Sequence, residues 1–486
     1  MSHDSRTTGS TSVPTPDAAT THDSEGGELR HDALGSISLL AQSVSALGPA
    51  ASAAVLIGLV AGLSGNGSWL TWILATVFAA LAAFCFSALA RRYTASGGLA
   101  SLISKVGGPI PGTIVTLVIL VFGVGFAPFF AVVFGNYARD YIVLLGYEGP
   151  TWWLVPLFGI LSVVFCAFLC IRGVALSTRV MLVIEIGSMA VILVLMGITL
   201  VNHPGSLFDT DQLTLSGVGF YEVFLGLVLA MFMFITFESS ITLGREARTA
   251  QSTVTRSLYG SVIISGLFLV VCSYITTMGF SANGAAVAES FNPLGDLAEM
   301  ENVTWLSYVI QLGIVAGMLA GMVAFLTWLS RVILSLANDR ILPAPLGAVN
   351  RKHGTPKRAI LAVMVFQLVV FVVLCVTGGA QDLTLYGFAG SVFTLIYLFA
   401  YVVALITIAV VAVRRWRNPL LVVAAVVSAA SFGYVIYNSV VPIPAFPMGI
   451  FTYVALGLMV VIAVIALLGS REGSVLRRLG SSSAEL

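Results

Sequence analysis

Twelve apolar runs, each long enough to cross a lipid bilayer, dictate what this 486-residue chain can become. They fall at roughly 36–64, 68–90, 113–144, 151–171, 177–201, 220–244, 257–280, 304–337, 358–378, 383–412, 419–439 and 447–469. About 20 residues at 1.5 Å rise match a hydrocarbon core of about 30 Å, and a helix satisfies its own backbone groups there. The expected fold is all-α and integral to the membrane, with twelve transmembrane helices. Composition agrees, since 58% of residues are hydrophobic and 9% charged, where soluble proteins average roughly 45–50% and 25%.

Basic residues orient the bundle. When the runs are threaded alternately, every one of the 23 lysines and arginines except Arg139 lies on the side that holds both termini. Positive charge collects on the cytoplasmic side of a membrane, so both ends are expected there. The segment after the seventh run, on the other side, carries Glu289, Asp296, Glu299 and Glu301 and no basic residue. With positive charge committed to topology, the net charge of +1 leaves no nucleic-acid footprint. Cys85, Cys166, Cys170, Cys272 and Cys375 all lie within runs, without metal-ligand spacing, and read as packing residues. Neither a metal nor a cofactor is expected. Residues 1–35 are too polar to bury surface and are expected to form a disordered cytoplasmic tail; 36–470 form the membrane domain and 471–486 a second cytoplasmic tail.

Against this apolar background Glu238 stands out, within the sixth run in Phe234-Ile235-Thr236-Phe237-Glu238-Ser239-Ser240. A carboxylate at membrane depth is costly unless water, a partner or a ligand meets it, so it marks a candidate site. Here the polar cluster Thr236–Ser240 can satisfy a freed backbone. The first run carries a second interruption, Ser45-Ala46-Leu47-Gly48-Pro49-Ala50-Ala51-Ser52, where proline removes a donor and glycine eases non-helical dihedrals. Taken singly, either could be a kink or a back-bonded serine. Together they open two five-helix sets of opposite orientation, the pattern of a transporter with inverted repeats and a midplane site.

Four further pieces carry a family resemblance. After the sixth run comes Gly244-Arg245-Glu246-Ala247-Arg248; after the eighth, Asn338-Asp339-Arg340-Ile341-Leu342-Pro343 and then Gly354-Thr355-Pro356; between the second and third, Arg91-Arg92-Tyr93 with Ser96-Gly97-Gly98. In this order the chain resembles the amino acid, polyamine and organocation transporter superfamily over nearly all of 36–470. The resemblance implies a LeuT-type five-plus-five inverted repeat with discontinuous first and sixth helices and two additional helices. It implies a secondary active permease moving amino acids or related amines by alternating access, either proton-coupled or exchanging. Gly48-Pro49-Ala50 departs from the glycine-rich break usual in that family, and Ala250 and Val254 replace two prolines usual after the sixth helix.

Binding chemistry follows from the breaks. Free N–H groups near Ala50, Ala51 and Ser52 suit a carboxylate, while carbonyls around Ser45, Ala46 and Leu47, and again near Phe234 and Ile235, suit an ammonium. An α-amino acid presents both charges; a polyamine or other organic cation is the alternative. An enzyme would need a catalytic constellation and a channel a repeated polar stripe, and neither is present. By resemblance Phe232 is a gating aromatic, with packing as the competing reading. Glu238 either receives a proton or ammonium or caps the second half of its helix. Glu185, the second acid at membrane depth, either carries a coupling proton, as a titratable residue on the fifth helix does in some relatives, or makes an interhelical hydrogen bond. Thr327 on the eighth helix is a loose match to an ion-binding hydroxyl.

Overall fold

A computed structural model describes residues 34–94, 97–247, 250–290, 292–381, 383–441 and 448–469, together with Leu479 and Ala484–Glu485. The expected disordered tail through residue 33, the basic stretch Arg471–Arg478, and Ser96 and Arg248 of the quoted motifs lie outside the described residues.

The apolar runs become helices: α1 Ser36–Leu47, α2 Pro49–Ser64, α3 Ser68–Ala90, α4 Gly98–Gly107, α5 Pro109–Leu144, α6 Leu154–Arg172, α7 Val174–Asn202, a single turn α8 Thr210–Leu213, α9 Phe220–Met233, α10 Ala250–Ala282, α11 Pro293–Met300, α12 Thr304–Asn338, α13 Lys357–Val376, α14 Leu383–Val411, α15 Pro419–Val440 and α16 Met448–Gly469. Among the described residues, eleven stretches are long and apolar enough to cross a membrane. The first, Ser36–Ala90, has 55 residues, which would reach about 80 Å if straight, over twice the hydrocarbon core. It contains a turn at Gly65–Gly67, where Gly65 has φ 49°, and so holds two crossings. The twelve crossings match the twelve runs read from the sequence. A two-residue antiparallel pair joins Tyr93–Thr94 to Ala484–Glu485.

Helix pairing follows a five-plus-five logic. Let α1/α2, α3, α5, α6 and α7 correspond in order to the α9 unit, α10, α12, α13 and α14. Then α7 lies on α12 just as α14 lies on α5, the same relation with the halves exchanged. Counterparts also pair directly: α3 with α10, α5 with α12, and α6 with α13. Both α15 and α16 pack on α14, α15 also on α3 and α16 on α5.

Both expected breaks are present. Gly48 ends α1 and starts α2 at φ 57°, ψ 57°, and Pro49 occupies the first position of α2, where a missing N–H costs nothing. In the second half, α9 stops at Met233, Phe234 and Ile235 form a turn, and Thr236 sits at φ 70°. A 3₁₀ helix, Phe237–Glu246, follows. The break therefore lies at the head of the Thr236–Ser240 cluster, and Glu238, Ser239 and Ser240 belong to the 3₁₀ segment. Ten residues of 3₁₀ helix are unusually many, and such stretches mark hinges or strain.

A Cβ at Gly48 would find its nearest atoms, in Ala51 and Ser45, 3.9 Å away. Substitution there meets only ordinary van der Waals contacts, so its cost is that of the left-handed backbone. Gly48→Ala should lower unfolding stability by about 1–2 kcal/mol, read as a denaturation shift of the detergent-purified protein. A cost well above that would mean the break is held by packing.

Candidate functional site

Between the two breaks lies a cavity of about 110 Å³. One wall is the break of α1 and α2, with Ser45, Ala46, Leu47, Gly48, Ala51 and Ser52; the facing wall is Phe232, Ile235 and Thr236. Nine of the twelve residues expected at the binding site thus line one space. The other three do not: Pro49 and Ala50 are buried in α2, and Phe234 is buried behind the turn.

Aromatic side chains close the remaining sides. Phe122, Phe126 and Phe130, on one stripe of α5, line it with Phe325 of α12 and Tyr386 of α14. Phe126 is the hub, its ring centroid 5.5–5.9 Å from those of Phe122, Phe130, Phe232 and Tyr386. Phe232 meets it edge to face at 79° and packs over Gly390, where an added Cβ would lie 3.5 Å from the ring. These rings offer a large apolar surface and π faces. Among the described residues, none that lines it carries a charged side chain.

Glycines bring α12 to the α1 break. A Cβ on Gly321 would stand 3.4 Å from the Ser45 carbonyl, and one on Gly317 would meet Glu185 Oε2 at 3.5 Å and Ala50 at 3.8 Å. With Gly313, which faces Ser188, they form a stripe at four-residue spacing, the small-residue seam that lets membrane helices approach closely.

Glu185 corrects one expectation. The Ala50 N–H is not free, because it donates to Glu185 Oε1 at 3.1 Å, and the Ser52 N–H donates to the Gly48 carbonyl at 2.8 Å. The physical reason is the positive end of α2, which attracts the nearest acid. Glu185 is fully buried, and its Oε2 has no hydrogen-bond partner among the described residues. Ala51 remains as the first-turn residue of α2 that faces the cavity, one of the positions where a helix leaves an N–H without an intrahelical acceptor.

Glu238 does not line the cavity. Tyr397 Oη donates to its Oε1 at 2.5 Å, and Tyr401 Oη donates to its Oε2. Tyr401 Oη in turn accepts the Thr236 N–H at 3.2 Å. A β-branched residue at φ 70° is strained, and such strain persists only where surroundings enforce it. The chain from Glu238 through Tyr401 to Thr236 supplies that enforcement. Thr327 is engaged elsewhere, its hydroxyl 3.4 Å from Cys170 Sγ.

On the basic side of the breaks, buried hydrogen bonds tie α1 to its neighbours. Gln42 donates to the Ala324 carbonyl, Ser43 to the Phe237 carbonyl and Ser257 to the Leu39 carbonyl. Arg331 Nε pairs with Glu246 Oε1 at 2.7 Å, both side chains 2% exposed, and the Leu34 N–H donates to the Glu246 carbonyl.

The sequence reading missed the cage and the tyrosines, although signals existed. Phe122, Phe126 and Phe130 recur every four residues, as do Gly313, Gly317 and Gly321, and Tyr397 and Tyr401 share a helix face.

Residues 34–468 match the family model described as amino acid permease. The chain belongs to that family. Family membership supports a transporter role, and with it the LeuT-type fold, with α15 and α16 as the additional helices. Among similar proteins, this permease-family chain is 22% identical to the branched-chain amino acid permease BcaP of Lactococcus lactis over 62% of its own length and 68% of that protein's. It is 22% identical to the L-lysine transport protein of Corynebacterium glutamicum over 72% and 70%. It is also 30% identical to an uncharacterised transporter of Mycobacterium tuberculosis, over 28% of this chain and 30% of that one. The match thus spans under a third of the mycobacterial relative.

Tyr401→Phe removes partners from both Thr236 and Glu238, whereas Tyr397→Phe removes one from Glu238 alone. Each buried group left unpaired costs about 1–3 kcal/mol, so Tyr401→Phe should lower thermal stability by about twice as much. Equal losses would mean that the Thr236 contact is incidental.

Proposed function

We propose that this chain is a secondary transporter that carries an apolar α-amino acid across the cytoplasmic membrane by alternating access, coupled to protons. One observation carries the reading: a cavity between two helix breaks, walled by aromatic rings and lined by no charged side chain. Backbone polarity at the breaks suits an amino and a carboxyl group, and the rings suit an apolar side chain. Lysine would leave a second ammonium facing aromatic rings with no acidic side chain among the described lining residues. BcaP's name gives branched-chain amino acids as its substrates, which fits this cage better than does the lysine of the corynebacterial protein. A polyamine or organic-cation carrier is the competing reading, since π faces attract cations.

In this account the substrate carboxylate sits at the first turn of α2 near Ala51, and its ammonium meets the carbonyls of Ser45, Ala46 and Ile235. Phe232 covers it, and the buried Arg331–Glu246 pair with the bonds of Gln42 and Ser43 shuts the basic end. Leaving one partner of such a pair buried without the other costs about 3–5 kcal/mol, so both charges must be hydrated or paired anew when that end opens. By the positive-inside pattern the basic end and both tails are cytoplasmic, with 36–470 as the transporter domain.

Glu185 supplies coupling. A carboxylate there and a substrate carboxylate at Ala51 address the same helix terminus and repel each other. A proton on the unpartnered Oε2 removes that repulsion, so proton and substrate bind together. Glu238, held by two tyrosines, is a positioning residue for the second break.

Counterflow into liposomes tests the substrate. Labelled leucine should exchange saturably and be displaced by branched-chain or aromatic amino acids. Isoamylamine, which lacks the carboxylate, should compete roughly 10–100-fold less well, the worth of charge-assisted hydrogen bonds. Equal competition by lysine or by isoamylamine would favour the cation carrier; ohmic current would indicate a channel and product formation an enzyme.

Glu185→Gln keeps an acceptor for Ala50 but cannot titrate. It should retain leucine exchange and lose accumulation driven by an imposed pH gradient. Undiminished pH-driven accumulation would assign Glu185 to structure and move coupling elsewhere.

A further inference from the structure

A second cavity, of about 460 Å³, lies on the outer face of the bundle between the start of α5 and the end of α14, remote from the breaks. Its walls are Ile110 and Ile114 on one side and Val403, Ile406 and Val410 on the other, and Arg414 and Arg415 stand at its basic end. Ile406 is 52% exposed and Val410 44%, so this face looks outward into hydrocarbon rather than into the protein. The floor is formed where Gly107 lets the α4–α5 corner close on α14; a Cβ there would stand 2.4 Å from the Thr407 methyl.

Length and charge both restrict the occupant. From Val403 to Arg414 the helix rises about 16 Å, half of a hydrocarbon core of about 30 Å, so the groove spans one leaflet. A lone acyl chain would need no arginines and a free anion no groove. Five residues, Ala412–Trp416, form a π-helical turn, a local widening that sets the Arg414–Arg415 pair at the groove end. Arg92 lies over the Trp416 ring at 4.2 Å, adding a third cation nearby. The segments 91–108 and 412–418 contain no Asp or Glu, and the acid paired alongside them is Glu485, opposite Tyr93. Among the described residues, neither the Arg414 nor the Arg415 side chain forms an ion pair or hydrogen bond.

We infer that this groove binds an anionic phospholipid, one acyl chain lying between α5 and α14 and the phosphate held by Arg414 and Arg415. Basic groups between membrane helices on the cytoplasmic side recognise anionic headgroups in this way. The site is separate from the substrate cavity and does not depend on what is transported.

Native mass spectrometry of the full-length protein, released from detergent with phosphatidylglycerol or phosphatidylcholine, tests this. One phosphatidylglycerol should be retained in preference to phosphatidylcholine. Retention should weaken roughly thirty-fold when Arg414→Gln and Arg415→Gln are combined, about fivefold for each arginine. Ile406→Trp, which fills the groove and keeps both charges, should also abolish retention. Equal retention of the two lipids, or no effect of the arginine variants, would overturn the assignment. Displacement of the lipid by millimolar inorganic phosphate, with Ile406→Trp unaffected, would reduce the site to an anion patch and overturn it too. Folding of each variant is checked by its thermal denaturation midpoint in detergent against that of the unsubstituted protein.

Discussion

Everything distinctive in this molecule depends on how it satisfies backbone groups where two helices are broken in a medium without bulk water. A helix crossing lipid pairs its own N–H and C=O groups, and interrupting one exposes groups that cost several kcal/mol each if left alone. The first break is met by Glu185, which takes the Ala50 N–H. The second is met by Tyr401, which takes the Thr236 N–H and is itself fixed by Glu238. Each acid at membrane depth thereby serves a break. What these partners leave over, at Ala51 and at the carbonyls of the two turns, is the polarity available to a ligand.

The cavity's character follows from the same economy. Polarity at the cavity comes mostly from backbone at the two breaks, while Phe122, Phe126, Phe130, Phe232 and Phe325 make its other walls apolar. Gly317 and Gly321 remove the side chains that would otherwise hold α12 away from Ser45. On the basic side, Gln42, Ser43 and the Arg331–Glu246 pair replace that openness with buried, mutually satisfied polar contacts. One side of the cavity is therefore bounded by directional bonds, the other by aromatic rings.

Much of the fold was legible because its causes are local. Each apolar run is its own evidence for a span, and Gly48-Pro49 announces a break by its covalent chemistry. The second break was legible only to within a few residues, since Thr236 at φ 70° is imposed by Tyr401 from 165 positions away rather than by its own preference. The use of Glu185 was hidden for the same reason: a carboxyl at membrane depth is visible in the sequence, but that it occupies the Ala50 N–H is a matter of α7 meeting α2. Ala50 was accordingly misread as a free donor. The aromatic cage lay in plain periodicity on α5, yet among 29 phenylalanines a stripe carries no mark of facing a cavity rather than a neighbour or lipid.

The central claim is that the two breaks together hold an α-amino acid whose side chain enters the aromatic cage. An electron cryomicroscopy map of the protein in lipid nanodiscs with saturating leucine tests it most directly. The account expects density between the α1–α2 and α9 breaks, its carboxylate end at the Ala51 N–H and its isobutyl end among Phe122, Phe126 and Phe130. Leucine density outside that space, or within it but with the carboxylate turned away from α2, would contradict it.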